Sequence, residues 1–205
     1  VVLYLHGGGY FAGSAATHRA VTSRLAQDTG AAVFALNYRL APEHPFPAAL
    51  QDALAAYFYL TQAYLTEATE GEQAGSDAGS IFPPRDDVPG IPPERIIVAG
   101  DSAGGGLAIA LLLALRDLHL PMPAGATTLS PWLDQSGSST GADTNSASDF
   151  LPNPHVIDEV NTPWWQSDAD REHFYVRQRA LLTCPYVSPL WANDLSGLPP
   201  ILLVS

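Results

Sequence analysis

Cysteine is almost absent: Cys184 stands alone among 205 residues, so no internal disulfide can form and a small buried hydrophobe is the expected role. Cations are scarce as well, with nine Lys and Arg against 21 Asp and Glu and a formal net charge of −12. Nucleic acids and anionic membrane surfaces are bound by clustered cations, so this balance argues against both as partners. It disfavours anionic substrates more weakly, because surface charge says little about a pocket. Long hydrophobic runs are missing too. The longest, residues 107–115, falls far short of the roughly 20 residues that cross a bilayer, so no transmembrane segment is expected. No signal-peptide pattern opens the chain. It begins inside an apolar strand-like run, so its true N-terminus is not expected here and its compartment stays open, with the cytoplasm as default. What is present, 46% hydrophobic residues over 205, is enough for one sizeable core.

Against that background one hexapeptide stands out, Gly100-Asp101-Ser102-Ala103-Gly104-Gly105. It follows the apolar run Ile96-Ile97-Val98-Ala99 and opens the apolar stretch 107–115. Strand, Gly-x-Ser-x-Gly, helix is the context of a nucleophile elbow, which lifts a serine hydroxyl above the sheet edge at the positive end of a helix. Composition alone predicts about 0.1 such pentapeptides per chain, so the motif by itself is suggestive only.

The opening of the chain adds to it. The β-prone run 1–5 leads into His6-Gly7-Gly8-Gly9, for which the chance expectation is roughly 0.003 per chain. A serine attacking a carbonyl creates an oxyanion, and a glycine loop can aim backbone N–H groups at it without side chains in the way. A further donor would be the N–H of Ala103, the residue after the nucleophile. The competing reading is a phosphate cradle, but no Lys-Ser/Thr follows the glycines and no acidic residue closes a neighbouring strand in the dinucleotide-binding manner. No cofactor or metal is expected.

With these residues the chain resembles the hormone-sensitive-lipase-like branch of the α/β-hydrolase superfamily, which holds many carboxylesterases and arylacetamide-deacetylase-like proteins. The matching segments are His6-Gly7-Gly8-Gly9-Tyr10, the run Tyr38-Arg39-Leu40-Ala41-Pro42-Glu43-His44-Pro45-Phe46-Pro47-Ala48-Ala49, and Gly100 to Gly105. Ser130-Pro131-Trp132-Leu133-Asp134, Ser188-Pro189-Leu190 and Leu198-Pro199-Pro200 continue it, so the resemblance covers nearly the whole chain. It implies a serine ester hydrolase with Ser102 as nucleophile and Gly8, Gly9 and Ala103 as oxyanion donors. His6, Gly7 and Asp101 would support the loop and the elbow. The substrate it implies is a small neutral ester.

The triad of this superfamily runs nucleophile, acid, histidine along the chain. By resemblance the acid follows the strand Ile201-Leu202-Leu203-Val204, and the chain stops at Ser205. The expectation is therefore an internal fragment, incomplete at both ends and inactive alone, its acid and histidine lying beyond residue 205. The histidines at hand are poor substitutes for a base. His119 sits by a helix end, His44 in a Pro-rich loop, His155 and His173 in the presumed cap, and His6 ahead of the glycines. A binding-only relative that keeps elbow and loop but has no histidine is the alternative.

Strand-like and helix-like segments alternate, which predicts a mostly parallel sheet flanked by helices, one partial α/β-hydrolase domain over residues 1–205. Strands are expected at residues 1–5, 31–37, 94–99, 124–129 and 200–204. Helices are expected at 17–29, where Val21 and Leu25 lie one turn apart, at 47–65, and after the elbow. Two segments break the alternation. Residues 66–93 carry six acids against one arginine among Gly, Ser and Pro, and read as a solvated or disordered insert. Residues 135–190 read as a linker and helical cap insertion whose aromatics, Trp164 among them, suit an apolar pocket or the glue between cap and body. Tyr10 and Phe11, beside the glycines, are further candidates for the pocket wall. Nothing in the sequence specifies an oligomeric state.

Overall fold

The structure, a computed structural model, describes residues 1–70, 90–138 and 173–205, the side chains of 62–70 excepted. Five strands form one parallel sheet: β1 (Val2–Leu5), β2 (Val33–Leu36), β3 (Ile97–Asp101), β4 (Gly125–Leu129) and β5 (Ile201–Val204), in spatial order β2-β1-β3-β4-β5. Among the described residues, helices α1 (Arg19–Thr29), α2 (Ala48–Glu70) and α3 (Ser102–Asp117) lie between successive strands from β1 to β4. The α/β sheet expected from the alternation is thus present, with β1, β2, β4 and β5 a little shorter than expected and β3 running on to Asp101, two residues past the expected end.

Alternation along β1 shows how the sheet is covered. Leu3 and Leu5 belong to the large core cluster with residues of α2 and α3, while Val2 and Tyr4 belong to a second cluster with Leu25 of α1. Side chains two apart share a face, so the helices lie on both sides of the sheet. Every residue of α3 from Ala103 to Leu115 is buried. A helix apolar all round has no solvent face to present and must lie inside the protein. Each fully buried Leu, such as Leu107, Leu111 and Leu112, contributes roughly 1.5–3 kcal/mol of transfer free energy.

Three local expectations shift. In α1 the buried position is Thr22, with Leu25 packed against the core and Val21 39% exposed, so the inward face runs through positions 22 and 25. Helix α2 runs to Glu70 instead of closing at Leu65, because no glycine or proline interrupts Thr66 to Glu70. Residues 93–95, whose last two were expected to begin the elbow strand, form a 3₁₀ turn, since Pro92 and Pro93 fix φ and cannot donate to a ladder. Most of the acidic insert (71–89) and of the linker and cap (139–172) lies outside the described residues, Trp164 and His155 included.

Residues 174–187 pack into the body. Phe174, Tyr175, Val176, Leu182 and Val187 join the main core, and Phe46 N–H donates to the Tyr175 carbonyl at 2.6 Å. Tyr186 Oη donates to Asp117 Oδ2 at 2.7 Å, tying this segment to the end of α3. Strand β5 is different. Among the described residues it pairs only with β4, and its four apolar residues are between 36% and 60% exposed.

Candidate active site

Leu5 pairs with Gly100 in the β1–β3 register. The two strands therefore end side by side, about 4.8 Å apart, and the loop from His6 starts next to Asp101 and Ser102. From β1 the chain goes to β2 on one side, and from β3 it goes to β4 on the other. A crevice opens at the carboxyl ends of parallel strands where such connections diverge, and ligands of open α/β sheets bind there. The two motifs found in the sequence flank that crevice.

Ser102 is half-buried, the first residue of α3, and has φ +50°. A non-glycine residue in the left-handed region is strained, so the surrounding backbone has to hold it. Two contacts do so. The Ser102 carbonyl accepts the N–H of Trp132 at 2.8 Å, linking the elbow to the loop after β4. On the other side the helix starts hard against β1: a Cβ on Gly104 would overlap the Leu5 and His6 carbonyl oxygens, so only glycine permits this approach. The N–H groups of Ser102, Ala103, Gly104 and Gly105 lie in the first turn, where no intrahelical acceptor exists.

The glycine loop is held from several directions. Phe11 and Ala12 N–H groups donate to the Gly8 carbonyl at 3.1 and 2.9 Å, and Ala41 N–H donates to the Tyr10 carbonyl at 2.8 Å. Tyr38 Oη donates to the His6 carbonyl at 2.6 Å, and its ring stacks on the His6 imidazole at 4.2 Å. His6 Nδ1 lies 2.8 Å from the Gly7 carbonyl oxygen. Burial lowers the His6 pKa, and neighbouring His18 acts in the same direction against the Gly7 carbonyl and Asp101.

Asp101 joins loop and elbow. Its Oδ1 accepts from Tyr4 Oη at 2.8 Å and from Gly7 N–H at 3.0 Å, while its Oδ2 lies 3.3 Å from His18 Nε2. Burial and the Asp101 carboxylate push the Tyr4 phenol well above its ordinary pKa, so it serves as a donor. Its carboxylate thus touches both the strand before the glycine loop and the loop itself. His18 was not among the expected site residues; a single histidine twelve positions after His6 carries no motif.

The structure thus sets the elbow of Ser102 and Ala103 beside the start of the loop His6-Gly7-Gly8-Gly9, joined to it through Asp101 and Gly7. The two aromatic candidates separate. Tyr10 is only 2% exposed, stacked on Tyr175 at 3.9 Å and tilted against Trp132 at 6.4 Å, which makes it core. Phe11 stays partly exposed and meets Phe174 edge-on at 5.8 Å. An open cleft of about 440 Å³ lined by His44, Phe46, Gln51 and Arg177 includes neither Ser102 nor the glycine loop.

Among the described residues no histidine is hydrogen-bonded to Ser102. Both nitrogens of His18 are engaged, Nε2 by Asp101 and Nδ1 by Ser14 O and Thr17 Oγ1. His173 Nδ1 accepts the N–H groups of Tyr175 and Val176. His44 and His119 are exposed. Among these residues there is also no group of three or more His, Cys, Asp or Glu able to hold a metal, and no helix long and apolar enough to cross a membrane.

A family model described as alpha/beta hydrolase fold matches residues 2–205. The acetyl-hydrolase of Streptomyces hygroscopicus is 38% identical over 202 residues, which are 98% of this chain and 54% of that protein. An esterase of Acinetobacter venetianus is 34% identical over 203 residues, covering 99% of this chain and 54% of its own length. The crystal structure of an esterase from the bacterial hormone-sensitive lipase family superposes with a TM-score of 0.69 at 38% identity, over 98% of this chain and 55% of that one. The chain spans about half the length of the curated relatives it matches.

Proposed function

The chain belongs to the α/β-hydrolase fold family, on the side of the hormone-sensitive-lipase-like esterases, and from that premise we propose that the whole protein hydrolyses small neutral carboxylic esters through Ser102. The observation that carries this reading is the pairing of Leu5 with Gly100, which sets a glycine loop and a strained serine on either side of one crevice. The relatives named acetyl-hydrolase and esterase support ester chemistry, and a short acyl group fits the first of them.

In this reading Ser102 Oγ attacks the ester carbonyl carbon and loses its proton to a base. The carbonyl oxygen becomes an oxyanion, held by the N–H groups of Gly8, Gly9 and Ala103. One such donor is typically worth about 10²–10³ in rate. The intermediate collapses as the C–O bond to the alcohol breaks, and the base returns its proton to the leaving oxygen. Water then attacks the acyl-serine by the same route, releasing the acid and restoring Ser102. None of the described histidines serves as the base, so the reading assigns the base and the acid that orients it to residues outside the described ones.

Turnover of p-nitrophenyl acetate and butyrate by the whole protein is the test. Ser102→Ala is expected to lower kcat by about 10⁴-fold or more, and paraoxon is expected to add one phosphoryl group, at Ser102. Undiminished turnover in Ser102→Ala would sink the proposal. Absent turnover, with an ester analogue still bound, would favour the binding-only relative.

A further inference from the structure

Asp101 precedes Ser102 directly, and its carboxylate meets donors from three parts of the chain. Tyr4 comes from β1, Gly7 from the glycine loop and His18 from the start of α1. The two donors on Oδ1, at 2.8 and 3.0 Å, do not by themselves fix the plane of the carboxylate, because rotation about the Cβ–Cγ bond can swap its oxygens. His18 Nε2 on Oδ2 supplies the third point.

The plane matters because there is no slack between carboxylate and loop. A Cβ on Gly7 would overlap Asp101 Oδ2, so the carboxylate lies directly against the loop backbone. Gly7 is gripped at both ends of its backbone, its N–H by Asp101 and its carbonyl by His6 Nδ1. A trans peptide is planar with C=O and N–H opposed. Fixing the Gly7 carbonyl therefore fixes the direction of the Gly8 N–H, the first of the assigned oxyanion donors. His18 is itself anchored, with Nδ1 beside Ser14 O at 3.2 Å and Thr17 Oγ1 at 3.0 Å, and its ring lies 5.5 Å from that of His6.

We propose that His18 is a positioning residue of this site: through Asp101 Oδ2 it locks the carboxylate that holds Gly7, and so sets the glycine loop against Ser102. The loop-holding part stands on contacts alone; its effect on rate rests on the esterase reading.

Two variants test it. His18→Phe fills the space without a donor, and His18→Gln keeps an N–H that can reach Asp101. Amide hydrogen exchange read by NMR is expected to speed up about tenfold at Gly7 in His18→Phe, the loss of one hydrogen bond to a charged group. The Val98 amide in β3 should not change, and His18→Gln should return Gly7 towards wild type. In the whole protein, His18→Phe should lower kcat about tenfold with KM little altered, and His18→Gln should recover it. If His18→Phe does not fold, His18→Ala serves the same comparison. Unchanged exchange at Gly7 overturns the positioning role whatever the activity. Faster exchange with unchanged kcat overturns its catalytic consequence. Wild-type protein without ester turnover overturns the esterase reading, and the Gly7 exchange still decides whether His18 holds the loop.

Discussion

Gly7 donates its backbone N–H to Asp101 Oδ1 at 3.0 Å, joining residues 94 apart in sequence across the ends of two adjacent strands. Replacing Asp101 with Ala leaves the buried Gly7 N–H and the Tyr4 hydroxyl without their acceptor, at a cost of about 2–3 kcal/mol. Displacing the loop should also lower ester turnover of the whole protein by about 10²-fold. Urea denaturation and p-nitrophenyl ester kinetics read the two effects separately. Unaltered values in both would show that the carboxylate holds nothing.

Gly104→Ala is expected to be worse than an ordinary Gly→Ala change in a helix, which normally stabilises. The new methyl group would meet the carbonyl oxygens of Leu5 and His6, which belong to backbone and cannot swing away. A destabilisation of about 3 kcal/mol is expected, seen as a lower urea midpoint. The same substitution at exposed Gly30, where a Cβ would meet nothing within 4 Å but φ is +66°, should cost only about 1 kcal/mol.

Burial, followed by Arg179, pulls the His173 imidazole down to about 4. The native state therefore binds fewer protons than the unfolded chain between that value and the ordinary histidine value of about 6.5. Stability should rise with pH across this window and be lost as the solution is acidified through it. His6 is lowered too and adds in the same direction. His173→Asn, whose side-chain oxygen can accept the Tyr175 and Val176 N–H groups in place of Nδ1, should flatten the dependence. An equally steep profile in that variant would place the acid sensitivity elsewhere.

Gln135 is 6% exposed, and neither atom of its side-chain amide has a hydrogen-bond partner among the described residues. Its backbone N–H donates to Ser188 Oγ at 2.7 Å. Gln135→Met keeps the length and removes the unmet polar atoms, so it should stabilise the protein by about 1–2 kcal/mol. A lower thermal midpoint in this variant would mean that the amide has a partner in solution.

Much of this fold was legible because its signals are local. Apolar runs of strand length marked all five strands, and two glycine motifs marked the turns that follow β1 and β3. What brings those turns together is sheet order, a long-range property that no single segment encodes. His18 escaped notice for this reason: its partner Asp101 is 83 residues away and its own neighbourhood is an ordinary helix start. Tyr10 misled in the opposite way. Adjacency to Gly9 suggested a pocket wall, but an aromatic ring turns towards whatever surface is free of water, here the face of Tyr175. In α1 the shift from Val21 to Thr22 shows how little a short amphipathic stretch fixes its own rotation when the sheet face it meets is small.

Strand β5 has one further consequence, for how the molecule behaves in bulk. Among the described residues β5 has a neighbour on one side, and its Ile, Leu, Leu and Val are all at least 36% exposed, the kind of edge that pairs with any other strand it meets. Residues 1–205 by themselves should scatter more light as they are concentrated, and a lysine in place of Leu202, 60% exposed among them, should raise the concentration they tolerate.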